Sequence, residues 1–181
     1  PKLAAAPGSP LRGLVLALEP GHGGSDSGAR GVSGSQEKNI NRWAVEELAR
    51  QLEAAGARTV MVRPQDEALS LGARVRRAVA ADADLFISVH ANAAGHARGY
   101  LSVSGTSTYY KWPFCRDLSA AIHARLLEIT RLNDFGNVGN FNYYPLRANT
   151  WMPTVLVEQA FMTHPGDEAK MLDPEFRREM M

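Results

Sequence analysis

The sequence predicts a single α/β domain, a mostly parallel twisted sheet with helices on both faces. Three observations carry that expectation. Strand-length apolar runs alternate with stretches of helical spacing nearly throughout. The runs at 14–18, 84–89 and 154–157 lack the polar alternation of a half-solvated strand, as strands buried on both faces do. A chain of 181 residues, 45% apolar and 22% charged, suits one domain with a full core.

The elements follow in order. The run at 14–18 is a strand that Pro20-Gly21 ends. Ile40, Ala44, Leu48, Leu52 and Ala55 recur at helical spacing, and Gly56 stops that helix. A β-branched run follows at 57–63. In 70–81, Leu71, Val75 and Val79 lie four apart, which reads as a helix with an apolar stripe; Arg74, Arg76 and Arg77 read as its solvated face. The segments 84–89, 99–110, 141–147 and 154–161 read as extended. Leu118, Ile122, Leu126 and Ile129 mark a long helix over 115–131. In 173–180, Asp173 is the expected N-cap, with Pro174 at the first helical position.

Composition excludes several classes of function. The net charge is +1, so nothing favours bulk electrostatic binding to nucleic acid. No apolar run approaches the ~18 residues of a membrane span. Cys115 is the only cysteine, which excludes an internal disulfide and a multi-cysteine zinc site; a buried thiol is the expected state. The opening Pro/Ala/Gly-rich residues 1–12 read as a linker tail, leaving 13–181 as the domain. A monomer is the default for such a composition.

The chemistry gathers at strand ends. The first strand runs out at Glu19-Pro20-Gly21-His22, the third at Val89-His90-Ala91-Asn92, and the last carries Glu158. Ligands of open α/β sheets bind beyond the carboxyl ends of the strands. Parallel strands would bring two histidines and a glutamate to one edge. Glu37 begins the first long helix, where a carboxylate suits the helix N-terminus and can turn toward His22. Gly21, Gly23 and Gly24 would let the chain turn and keep bulk away from His22. A phosphate loop is the weaker reading, because the stretch lacks Gly-x-Gly-x-x-Gly and no Gly-Lys-Ser/Thr closes it.

Two imidazoles and a carboxylate match the ligand set of hydrolytic zinc sites, which keep a fourth position for water. A metal there lowers the pKa of water to about 7, and a second glutamate can move the proton. The alternative is structural: histidines capping strand ends, glutamates in buried salt bridges.

The stretches "PGHGGSDSGARG", "QEKNINRWAVEELARQLEAAG", "ADLFISVHANA" and "MPTVLVEQAFMTHPGDEAKML" resemble the zinc-dependent N-acetylmuramoyl-L-alanine amidases with a phosphorylase/hydrolase-like fold. The resemblance runs from about Leu14 to the C-terminus. It implies one zinc ion on His22, Glu37 and His90, with Glu158 as the catalytic glutamate. It also implies cleavage of the amide between N-acetylmuramic acid and L-alanine of peptidoglycan. Glu19 stands where the family usually has Asp, Ser27 where Pro is common, and Gln159 where small residues are more usual. Some members insert a helix that plugs the zinc between the second ligand histidine and the catalytic glutamate. Here 91–157 holds one long helical pattern, so the domain is expected to lack a plug and to act without an activator. A peptidoglycan substrate implies an extracytoplasmic place, with an export signal upstream of Pro1 in the precursor.

Other residues carry a default and an alternative. His96, His123 and His164 read as structural or surface residues. Tyr109, Tyr110, Trp112, Tyr143 and Tyr144 read as core aromatics, with substrate stacking as the alternative. Arg147 could form an ion pair or meet substrate, and Asn92 could orient His90 or bind substrate. Asp66 and Arg74 are expected to pair locally. Two competing functions remain at this level: a zinc carboxypeptidase-like peptidase, and a peptidoglycan-binding module without turnover.

Overall fold

The computed structural model describes residues 9–95 and 101–181. Six strands form one sheet: β1 (Val15–Pro20), β2 (Arg58–Met61), β3 (Leu85–Asn92), β4 (Thr106–Tyr109), β5 (Asp134–Val138) and β6 (Thr154–Phe161), in the spatial order β2-β1-β3-β6-β4-β5. β2, β1, β3 and β6 are mutually parallel. β4 runs antiparallel to β6, and β5 lies parallel to β4. The mostly parallel α/β sheet expected from the sequence is present. The carboxyl ends of β1, β3 and β6 share one edge.

The helices are α1 (Glu37–Ala54), α2 (Leu71–Ala80), α3 (Arg116–Thr130), α4 (Tyr144–Ala148), α5 (Pro165–Leu172) and α6 (Pro174–Met180). On one face of the sheet, Leu16, Leu18, Ile87, Val89, Val155 and Val157 bury against Ala44 and Val45 of α1, Leu126 of α3 and Met180 of α6. On the other face, Ala17 and Phe86 pack with Val62, Ala78 of α2 and Met152. A smaller cluster joins Ile40 of α1, Ala91 of β3, Ala160 of β6 and Met171 of α5 beyond the sheet's carboxyl edge. Burying these apolar groups is the main drive to fold.

Local chemistry explains the boundaries. Gly56 follows α1 at φ +96°, a left-handed stop. Ser70 caps α2 by accepting from the Ala73 amide, and Asp173 caps α6 through the Glu175 amide. Cys115 is buried and free, as expected. Leu11, within the stretch read as a linker, packs on the core, and its amide bonds the Ala55 carbonyl.

Several expectations need correction. The 141–147 segment is not a strand: α4 begins at Tyr144, after Tyr143 at the N-cap position, and Pro145 supplies the fixed φ that suits a first helical turn. The 99–110 segment shrinks to β4; residues 99–100 and His96 lie outside the described residues. β5 was not expected, because a half-exposed edge strand reading Asp-Phe-Gly-Asn-Val carries no apolar alternation. α5 was not expected either. Its cap is the His164 ring, which accepts from the Asp167 amide, a structural role for His164. In α2 the presumed apolar stripe is only partly buried. Leu71 and Val79 are exposed, while Arg74 turns inward beside Val75 and Ala78. Arg74 is therefore no part of a solvated face: a buried carboxylate on β1 draws it in.

Candidate active site

β1 delivers Glu19 and then a sharp turn, 20–24. His22 adopts φ +62° within it, a left-handed conformation rarely held by a non-glycine residue and typical of functional turns. Two buried arginines hold this turn from below. Arg63 donates to the carbonyls of Pro20 (3.3 Å), Lys38 (3.2 Å) and Gln65 (3.1 Å). Arg74 donates to Pro20 (3.1 Å), His22 (2.8 Å) and Leu69 (3.1 Å), and pairs with the fully buried Glu19, which also accepts from Ser88 Oγ. The expected Asp66–Arg74 pair does not form. Asp66 instead bonds Lys38 Nζ (2.7 Å) and the Gly24 amide (2.8 Å), pinning the far side of the turn. The demand of buried Glu19 for a cation outweighs a loop contact.

The turn places the His22 ring over α1. His22 Nε2 lies 3.0 Å from Glu37 Oε2, and His90 Nδ1 lies 3.1 Å from Glu37 Oε1. The two imidazole centroids are 5.0 Å apart. Ligand atoms of His22, Glu37 and His90 all fall within 4.8 Å of one another. The histidine–glutamate pairs, at 3.0 and 3.1 Å, are close enough together to share one ion. Glu158 follows directly: on β6 it is the register partner of His90 on β3. Its Oε2 is buried without a partner, as is Nε2 of His90.

Gly23 (φ +129°) and Gly24 (φ +59°) let the chain turn as expected, but the clearing of space around His22 falls to another glycine. A Cβ on Gly21 would fall within the His90 ring, so Gly21 clears space for His90. Gly28, at φ +63°, is the glycine that clears His22 and Glu37.

Three residues not singled out as site residues complete the constellation. Asp26 Oδ2 lies 2.9 Å from His22 Nδ1, fixing the ring from behind. Asn41, one helical turn after Glu37, donates to Glu37 Oε1 (3.1 Å), which also accepts from the Ala91 amide (3.1 Å). Gln159 donates to Asn41 Oδ1 (3.1 Å) and to the His90 carbonyl (3.2 Å), tying α1, β3 and β6 together behind the site. The four-residue spacings from His22 to Asp26 and from Glu37 to Asn41 were signals available in the sequence. Gln159 carried no such signal.

The electrostatics suit a cation. Burial alone would raise the Glu37 carboxyl, but hydrogen bonds from His22 and His90 hold it well below the usual range. Burial opposes charge on His90, yet the Glu37 hydrogen bond and the charges of Glu19, Glu158 and Glu37 push it up to about 9. His22 is also raised, against its burial, by Glu37 and Asp26. Raised imidazoles report a negative local potential, and a divalent ion would feel it too. Burial pushes Glu158 up to about 7; His90 opposes this, Glu37 reinforces it, and His22 opposes it. A carboxyl poised near neutrality can both take and give a proton.

The remaining candidates lie elsewhere or act locally. His123 bonds Asp134 (2.8 Å) between α3 and β5. Asn92 Oδ1 accepts from the Ala93 amide. Arg147 stacks on Tyr144, 4.9 Å from its centroid. Tyr143 sets its ring edge against His90 at 5.7 Å, and burial, reinforced by Glu19, raises its hydroxyl so that it stays a neutral donor. Among the described residues no helix is long and apolar enough to cross a membrane.

A parallel sheet edge that converges two imidazoles and two glutamates, one of them near neutrality, has the make-up of a hydrolase site. The family profile described as N-acetylmuramoyl-L-alanine amidase matches residues 16–181, and the chain belongs to that family. It is 35% identical to YqiI of Bacillus subtilis over 93% of this chain and 80% of that protein. It is 36% identical to the N-acetylmuramoyl-L-alanine amidase LytC of the same organism, over 90% of this chain but 32% of LytC. The chain thus spans about a third of LytC's length. The solved structure of the amidase AmiC2 of Nostoc punctiforme superposes with a TM-score of 0.84 at 30% identity, over 92% of this chain and 90% of that one.

Proposed function

We propose that this chain is the catalytic domain, 13–181, of a zinc-dependent peptidoglycan amidase. It would cut the amide between the lactyl group of N-acetylmuramic acid and L-alanine of the stem peptide. The observation that carries the proposal is the juxtaposition of the compact His22, Glu37 and His90 donors with Glu158 in register beside His90.

His22, Glu37 and His90 would hold one zinc ion. When bound, zinc supplies Lewis acidity, acidifying water and stabilising charge that develops on the scissile carbonyl. Glu158 takes the proton of the attacking water and passes it to the departing alanine nitrogen, so a poor leaving group departs as an amine. Asp26 keeps His22 oriented, and Asn41 with the Ala91 amide keeps the Glu37 carboxylate aimed. Glu158 is half-buried on β6, with its Oε2 sealed from solvent.

A peptidoglycan substrate places the reaction outside the cytoplasmic membrane. The working unit is a monomer, active without an activator protein. Within 101–157 the long helix is α3, which packs against β4, β5 and α6 rather than over the site.

The test pairs metal content with digestion of purified peptidoglycan. The wild type and Glu158→Gln should each bind about one zinc, while the variant loses roughly 10²–10⁴-fold in release of free amino groups. A wild type that takes up no zinc refutes the metal site. A Glu158→Gln variant with full activity refutes the proton role. A cut elsewhere in the stem peptide would favour the carboxypeptidase-like alternative.

A further inference from the structure

A second groove lies on the β4 side of the sheet. It has a volume of about 550 Å³ and is lined by residues 110–113, Arg116, Gly139 and Asn140. The chain that forms it leads to the catalytic edge. Lys111 Nζ donates to Asn140 Oδ1 (2.6 Å), and the Phe141 amide bonds the Tyr110 carbonyl (3.0 Å). Phe141 then packs on Tyr109 (4.5 Å), and Tyr143 reaches His90. The 139–143 segment therefore connects the groove to a proposed metal ligand.

The distance matters. β4 is antiparallel to β6, with Ser107 opposite Glu158 and Tyr109 opposite Leu156. At ~3.3 Å per residue, Tyr110 to Trp112 begin about 10 Å from the level of Glu158. A ligand filling both places has to span about 10 Å or more, the length of at least a disaccharide or a short extended peptide.

The groove also has a definite chemistry. Aromatic faces of Tyr110 and Trp112 suit the apolar faces of sugar rings. Lys111 sits 5.9 Å from the Trp112 ring centroid, and the Arg116 side chain is 72% exposed at the rim, its Nε 3.7 Å from the exposed Asp117 carboxylate, with which a bound carboxylate would compete. Two cations complement carboxylates. Hydrolysis of a lactyl amide leaves such a carboxylate on the glycan.

We propose that this groove is a subsite for the glycan strand of peptidoglycan, binding aminosugars through Trp112 and Tyr110 and free lactyl carboxylates through Lys111 and Arg116. The proposal rests on the amidase reading for its choice of polymer, but its test does not depend on turnover. The probe is peptide-free glycan strands bearing free lactyl carboxylates, titrated calorimetrically into the full chain. Trp112→Ala, and Lys111→Ala combined with Arg116→Ala, should each raise Kd on the order of tenfold. Trp43→Phe, on α1 away from the groove, should leave it unchanged. Because Lys111 and Arg116 sit at the groove rim, the double variant should melt as the wild type does.

Unchanged binding in the groove variants would overturn the proposal, as would a wild type that does not bind the strands. Displacement of the strands by free stem peptides would assign the groove to peptide and equally overturn it. Groove-dependent binding without any hydrolysis would sink the amidase reading and leave the subsite standing. Hydrolysis with groove-independent binding would do the reverse.

Discussion

Replacing Arg74 with Leu tests whether the site rests on a buried ion pair. Arg74 and Glu19 are almost fully buried, and Glu19 has no solvent contact. Leu at 74 leaves the Glu19 carboxylate with Ser88 Oγ and no cation. It also strips donors from the carbonyls of Pro20, His22 and Leu69. Orphaning one partner of a buried pair costs about 3–5 kcal/mol. Against a typical total of about 5–15 kcal/mol that is a large share. In a domain of this length it lowers Tm by roughly 6–20 °C. Thermal and urea melts followed by circular dichroism read the loss. The Glu19→Leu/Arg74→Leu double variant removes the orphaned charge and should recover most of it. Recovery should stop short of complete, because the His22 carbonyl still lacks its donor and the left-handed His22 turn is held less firmly. Zinc affinity, measured by chelator competition, should therefore stay weakened in the double variant even where stability returns. An Arg74→Leu protein that melts within about 2 °C of the wild type would refute the reasoning. So would a double variant whose loss equals the sum of the two single losses.

Two further perturbations isolate single contacts. Gly28→Ala puts a Cβ against Glu37 Oε2 and 2.6 Å from His22 Cδ2, so zinc affinity should fall by about tenfold or more beyond any strain effect. Gly34→Ala is the control: it shares a positive φ of +87° but has open space around its Cβ. It should lose only about 1 kcal/mol of stability and keep its metal affinity; equal metal affinities in the two variants would refute the steric account. Glu168 accepts from the Ser33 amide (3.0 Å) and from the Ser33 and Ser35 hydroxyls (2.6 Å each), anchoring the 31–35 turn to α5. Burial opposes its ionisation, but these donors hold its carboxyl below the usual range. A lowered folded-state value means stabilisation present above the unfolded value, near 4.5, and lost as pH falls through the folded one. The stability gap between wild type and Glu168→Gln should thus be full at pH 7 and shrink as the solution is acidified below about 4.5. A gap that stays constant down to pH 2 would show that the charge is not what matters.

The sequence by itself determined the α/β class, because buried parallel strands leave continuous apolar runs that no surface element shares. It also determined the residue types of the site: glycines around His22, a histidine ending the 84–89 run, and a glutamate inside the last one. Tertiary structure alone decided how these meet. Glu37 reaches both histidines because α1 starts beneath the turn that β1 feeds. His90 and Glu158 become neighbours only through the β3–β6 register. Arg74 left its exposed neighbours for the interior because Glu19, 55 residues earlier, is buried and needs a cation. β5 and α5 were illegible for a related reason. An edge strand buries little, and a helix capped by an imidazole lacks the usual Ser, Thr, Asp or Asn signal. Local pattern reports what each segment buries. Which distant partner satisfies a buried charge or an open lone pair is settled only when the chain closes on itself.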